Sequence, residues 1–416
     1  MRSLWHSPTL RSVLIYGASG LGFAGANLVL ARVLPTVEYA LFTLFVALAN
    51  LSFALAPIGV DGIVQRRHLE AGPRLLKHTL AAGLLTGLVT ILIAGFAYHL
   101  NTTLLILVFA STVGGGAMLV AGVQFQSEQR YGISLALTQS PNLVLIVAAL
   151  AVIATGIRQA QLALVISALG FVLAGAIGWW ILFRERASKA HRDTRVPWGE
   201  ALSFFGLNAA GLLLVQLDRL IIPHVLSLHD LATFGVLAAI AGSLFRVLSM
   251  GVGYSLVPRL RAAGTVVERR RLIAHEAKLV SVLIVAGSVA IWFLTPWIER
   301  AFLEGKYHLG RALLVATLFS GVAKVLNSFT KSTVTALATA SEVSIVNLLG
   351  WVSVAVAVTA AIFGARWGLP GVIYGVGLGW LMRALTALYI TLRHLRFPAV
   401  PVTAPSTGLT SADHGL

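Results

Sequence analysis

Three positive charges fall near the centres of long apolar stretches: Arg246, Lys324 and Arg383. On insertion scales each costs about 2.5–3.5 kcal/mol at mid-depth in a membrane, so three in one half of a chain need a reason. No mid-depth carboxylate is available to pair with each of them. Two readings fit: the cations bond to backbone carbonyls or snorkel, or they line a water-filled cavity that takes an anion. The surroundings of Lys324 favour the cavity. Ser320, Lys324, Asn327, Ser328, Lys331 and Thr335 recur at steps of three and four, so they share one helix face. A stripe with two lysines cannot face lipid. Arg219 extends the basic surface, and Asn208 lies three turns away on the same face. Arg grips phosphate oxygens two at a time and Lys acts as a point charge, so the expected chemistry is anion recognition.

Acids are few. Asp218 falls within one apolar stretch and Asp61 near the end of another. A buried carboxylate in a transporter carries a proton or ligates Na⁺, which makes H⁺ or Na⁺ coupling the expectation, without any other cofactor. A structural ion pair of Asp218 with Arg219 accounts equally for the first, and a helix end beside Arg66 for the second. Asn347 and Ser344 would supply neutral oxygens near Asp218 if their helices meet. The first half of the chain offers only milder groups at mid-depth, Asn27, Asn50 and Asn142, the last beside Pro141. The cavity is therefore expected to be electrically lopsided. No catalytic constellation is present. The histidines are scattered without metal-ligand spacing, no phosphate-binding Walker motif occurs, and cysteine is absent.

The elements that must position these residues follow from composition. The chain of 416 residues is 57% hydrophobic and 11% charged, with mean hydropathy +0.87. A soluble domain carries about 25% charge, so there is too little polar surface to coat a globule of this size. Near the start, Gly17, Gly20 and Gly22 followed by Glu38 imitate a dinucleotide-binding turn with its ribose acid. Nothing downstream alternates strands with amphipathic helices, so the glycines are read as small residues that let membrane helices approach.

Apolar runs of about 20 residues, the length that crosses a hydrocarbon core, give twelve spans: 10–32, 38–63, 76–98, 103–124, 132–154, 160–183, 200–222, 231–256, 276–297, 311–335, 343–365 and 369–392. Lys and Arg crowd into alternate links, which places both termini in the cytoplasm of a multi-pass protein. That pattern explains the net charge of +16 without nucleic acid as a partner; the basic runs read as topology signals and contacts to membrane lipids. The proline- and serine-containing residues 397–416 read as a disordered cytoplasmic tail.

A shift of 192 residues overlays Glu38 on Asp230, Phe42 on Phe234, Phe53 on Phe245, Gly59 on Gly251 and Arg67 on Arg259. Six helices separate the copies, so both have the same orientation. The expected fold is an all-α integral membrane protein of about 12 transmembrane helices in two pseudo-symmetric six-helix lobes. Residues 1–198, including a cytoplasmic linker, would form one lobe and 199–396 the other, with the site between them.

The opening "GASGLGFAGANLVLARVLPTVEYALFTLFVALANLSFALAPIGVDGIVQR" resembles the start of the Wzx-like polysaccharide flippases of the multidrug/oligosaccharidyl-lipid/polysaccharide exporter superfamily. The resemblance rests on the small-residue first helix, "ARVL" followed by "EYALF", and the "GVDGIVQR" exit. It implies a chain of the inner membrane that moves an undecaprenyl-pyrophosphate-linked oligosaccharide between leaflets by alternating access, alongside polysaccharide polymerase machinery. Arg246, Lys324, Arg383, Arg219 and Lys331 would hold the headgroup, and Asp218, Asn347 and Asp61 are the candidates for the coupling ion. The alternatives are a cation-coupled multidrug exporter of the same architecture, which should show cavity carboxylates and aromatics, and a membrane glycan polymerase or ligase, which should carry a long catalytic outer loop.

Overall fold

A computed structural model describes residues 8–67, 69–186, 196–263 and 265–396. The expected tail 397–416 and most of the basic linker lie outside the described residues. Those residues are helical throughout, with short links and no strand. In chain order the helices are α1 (Pro8–Val33), α2 (Thr36–Leu55), α3 (Val60–Arg67), α4 (Pro73–Tyr98), α5 (Thr102–Ser127), α6 (Tyr131–Thr155), α7 (Ala160–Arg186), α8 (Trp198–Val225), α9 (Leu228–Leu237), α10 (Ser243–Ala262), α11 (Val266–Trp297), α12 (Arg311–Leu337), α13 (Ala340–Gly364) and α14 (Gly368–Arg396).

Fourteen helices arise from twelve expected spans because two spans are interrupted. Ten helical stretches are long and apolar enough to cross a membrane. One of these, Ser341–Leu395, is α13 and α14 joined by a single 3-10 turn; the 26-residue, glycine-rich α1 is not one of the ten. Helices α1–α7 pack among themselves, as do α8–α14, giving two six-span lobes.

Of the described glycines of α1, Gly22 acts as a spacer, whereas a Cβ on Gly17 or Gly25 would meet nothing within 4 Å. A Cβ on Gly22 would sit 2.9 Å from Cδ1 of Ile146, so an alanine there would have to push aside that side chain of α6. Glu38 binds no ribose. Its carboxylate accepts the backbone N–H of Ala160 at 2.7 Å and so caps the first turn of α7, where a negative charge meets unpaired amides.

The run expected at 38–63 is broken. Helix α2 stops at Leu55, and Ile58 (φ 47°) and Gly59 (φ 81°) turn the chain into α3. At Gly59 the carbonyl oxygen of Ala201 on α8 lies 1.9 Å from where a Cβ would stand. Gly59→Ala therefore meets both a left-handed backbone and a backbone clash. We expect it to lower thermal stability by more than the about 1–2 kcal/mol that the φ angle alone costs, read from the melting temperature of the purified protein. The repeat copy, Gly251, sits inside continuous helix α10, and α9 joins α10 through a π-helical turn, Ala238–Gly242.

The lobes meet at both ends of the bundle. On the face that carries the N-terminus of α8, Arg66 and Arg67 of α3 pair with Glu200 at 3.0 and 2.6 Å. On the opposite face, at the C-terminus of α1, the contact is made by a segment with no counterpart in the first lobe. Helices α4 and α5 are separated by residues 99–101 alone, whereas α11 and α12 are separated by residues 298–310, a π-helical turn followed by a loop. This strap reaches across to α1. Nζ of Lys306 donates to the carbonyls of Ala31 (2.8 Å) and Leu34, and Tyr307 donates its hydroxyl to Ala31 at 3.1 Å. Arg32 closes on Glu304 at 2.5 Å. The carbonyls at the end of α1 have no helical partner, so a half-buried cation is a natural cap for them. Burial, with a smaller push from Arg158, holds the Lys306 pKa below the usual lysine value.

Candidate functional site

Between the lobes lies a cavity of about 600 Å³. Its second-lobe wall is built from α8, α12 and α14, with Phe234 of α9, the π-helical turn and Phe245 of α10. Arg219, Lys324, Lys331 and Arg383 all reach it, with Asp218 beside Arg219. The stripe on α12 faces inward as its spacing predicts: Ser320, Lys324, Asn327, Ser328 and Lys331 line the cavity. Thr335, the last member, does not; its hydroxyl donates to the carbonyl of Lys331 in its own helix. Lys324 and Lys331 are two turns apart, a separation of about 10 Å along the axis.

The first-lobe wall has a different character. It contributes Phe53, Leu55, Gly59, Leu119 and one charge, Asp61, and no cation. The cavity is thus lopsided in the expected sense. Asp61 belongs to the short α3 rather than to the end of a long span, and this break places it on the wall. Arg246 falls on α10, but its side chain lies outside the described residues.

Other expectations move elsewhere. Helix α13 does pack against α8, yet Asn347 is not on the cavity wall. Its amide donates to the carbonyl of Val343 one turn back. Ser344 is also off the wall. Asn27 donates to the carbonyl of Phe23 within α1. Asn142 joins Ser19 and Gln139 in a small polar cluster between α1 and α6, with contacts of 2.8 and 3.0 Å. Asn50 does not line the cavity either.

Charge pairing differs along the wall. Nζ of Lys324 lies 3.3 Å from Oδ2 of Asp218. Arg219 donates to Oε1 of Gln216 at 3.2 Å. Lys331 and Arg383 make no ion pair among the described residues. Four polar atoms of wall residues, Oδ1 of Asp218, Oγ of Ser320, Oδ1 of Asn327 and Nε1 of Trp380, are buried and have no hydrogen-bond partner among the described residues. Such buried groups are costly to leave without a partner.

Arg383 shows how this wall is shaped. Its guanidinium lies in a slot between Gly211 of α8 and Gly350 of α13. A Cβ at position 211 would come within 2.8 Å of its Nη1, and one at position 350 within 3.6 Å of its Cζ. Neither glycine stood out in the sequence, because the need for it comes from a side chain on another helix. Gly211→Ala pushes only the mobile end of a long side chain. We therefore expect it to fold with the parent's melting temperature while weakening anion binding about threefold to tenfold, measured by titration calorimetry.

No protein-family model and no curated protein matches this sequence. Similarity appears at the level of structure. An inward-facing multidrug resistance MATE family transporter of the MOP superfamily superposes with TM-score 0.62 at 14% identity, covering 92% of this chain and 94% of that one. The lipid II flippase MurJ in an inward closed conformation gives 0.62 at 12% identity, covering 91% and 86%. A MATE transporter in complex with MaL6 gives 0.59 at 13%, covering 93% and 95%. The fold is therefore the two-lobed helical fold that these transporters and this flippase share. At these identities the likeness is one of fold, and the basic cavity lies between the two lobes of that fold.

Proposed function

We propose that this protein is a flippase for an anionic lipid-linked glycan, carrying an undecaprenyl-pyrophosphate oligosaccharide from the inner to the outer leaflet of the plasma membrane. One observation carries the reading: four cationic side chains from three helices converge on one wall of an inter-lobe cavity whose other wall has no cation. A pyrophosphate diester brings two negative charges that must leave water, and fixed cations in a low-dielectric site replace that hydration. Lys331 and Arg383, without ion pairs among the described residues, receive the headgroup, with Lys324 and Arg219 completing the basic set. The neutral groups Asn208, Asn327 and Ser328 contact sugar, and the lipid tail stays in the bilayer. The name of the structural neighbour MurJ, a lipid II flippase, is in keeping with a lipid-linked cargo.

In this reading residues 1–198 and 199–396 are the two moving halves, both termini are cytoplasmic, and polysaccharide polymerase machinery takes the product. An H⁺ or Na⁺ gradient drives the cycle. The structure is then the state in which the outer face is strapped shut.

A multidrug exporter is the second reading. It is favoured by the aromatic rings of Phe53, Phe204 and Phe245 on the cavity wall and by the MATE fold. Complementation separates the two. The gene is expressed in a host lacking its own glycan-lipid flippase, and movement of labelled glycan lipid is measured beside resistance to cationic drugs. Glycan movement supports the proposal; drug resistance without it replaces the proposal by the second reading.

A further inference from the structure

Asp218 is an odd residue to find in a wall that receives an anion. Its side chain is 2% exposed, against 31% for its partner Lys324. The contact of 3.3 Å is long for a charge-assisted bond, which is normally about 2.7–2.9 Å. Oδ1 has no hydrogen-bond partner at all among the described residues. The carboxylate is therefore recessed and held at its place on α8, whereas the lysine stands at the cavity edge on a flexible stem. The other charges that face this part of the cavity are Arg219 next to it on α8, Arg383 on α14 and Asp61 on α3; Tyr39 of α2 lies near Arg219.

From this arrangement we infer that Asp218 is an internal counter-anion that competes with the substrate for Lys324. The inference rests on the anionic-substrate reading above. In the empty cavity Asp218 occupies the lysine. An incoming phosphate draws Nζ of Lys324 off Oδ2 and into the cavity, leaving a buried carboxylate without its partner. That penalty is returned when the substrate leaves, so the pair sets an upper limit on affinity and drives release. A site made only of cations would hold a dianion too tightly to turn over, because uniform ground-state binding does not speed a cycle. No covalent step is involved: a lysine changes partners twice in each cycle.

The test uses the full chain in lipid nanodiscs and UDP-glucose, a sugar-bearing pyrophosphate diester that stays doubly ionised near neutral pH. Binding is followed by calorimetry for the parent, D218N, K324Q and the double variant. We expect D218N to bind about tenfold tighter than the parent and to flip glycan lipid more slowly. In the K324Q background the gain from D218N should vanish. D218S serves the same purpose should D218N fail to insert. Unchanged or weaker binding by D218N, with the parent binding normally, overturns the counter-anion role and leaves the anionic-substrate reading intact. A tenfold gain that persists without Lys324 also overturns it, since the competition would not run through that lysine. No binding by the parent at millimolar ligand removes the anionic-substrate reading, and this inference with it.

Discussion

Replacing Arg383 and Lys331 together by alanine is expected to abolish glycan-lipid movement while leaving the protein inserted and folded. Both side chains reach the cavity without ion pairs among the described residues, so their removal strands no carboxylate. A hydrogen bond to a charged group contributes about 1.5–3 kcal/mol. Losing two such groups therefore weakens anion binding by at least about 100-fold, since each 1.4 kcal/mol is a factor of ten. Single substitutions should fall between parent and double variant. Arg383→Lys should not restore the parent, because the slot between Gly211 and Gly350 suits a flat guanidinium and an ammonium cannot grip two oxygens at once. The measurement is UDP-glucose affinity in nanodiscs beside glycan-lipid movement in cells. Parent-like values in both assays would mean that these cations serve the fold alone.

The second large effect is expected at the strap. Lys306→Met removes the donor to the carbonyls of Ala31 and Leu34, and the strap loses its grip on α1. The chain has no cysteine, so one introduced at Thr317 on the cavity wall is a clean reporter. A membrane-impermeant maleimide applied from the strap side should label the Lys306→Met variant at least about tenfold faster than a protein carrying only Thr317→Cys. That factor corresponds to about 1.4 kcal/mol, the low end of what one charged donor contributes. Equal labelling would show that the remaining contacts close this face unaided.

The helices were largely legible in the sequence, since apolar length is a strong signal and composition leaves few alternatives. The α12 stripe was legible for the same reason: a spacing of three and four fixes a face whatever lies opposite. What the sequence withheld depends on neighbours. Asn347 has the right chemistry, but periodicity says only which residues share its face, and its amide bonds within its own helix. The break at Ile58 and Gly59 sits inside an apolar run, where Pro57 and Gly59 were the only warning. The repeat matched Glu38 to Asp230, yet Glu38 caps a different helix while Asp230 forms a capping box with Ser227 at the start of its own. The slot around Arg383 could not be foreseen, because it is made by the absence of two side chains on helices far apart in the chain.

The strap between α11 and α12 bears on how the membrane keeps its voltage. If the chain is the gradient-driven carrier proposed above, a basic cavity open to both sides at once would be an anion channel, and even brief openings would discharge the gradient. The grip of Lys306 and Tyr307 on α1, with Arg32 on Glu304, involves at least three bonds to charged or buried groups. The exposed Arg32–Glu304 pair adds little, so the closure rests on the Lys306 and Tyr307 bonds to the end of α1. In that reading the extra residues 298–310 in one lobe, which spoil its symmetry with the other, are what an electrically tight carrier needs: a resting state that does not leak.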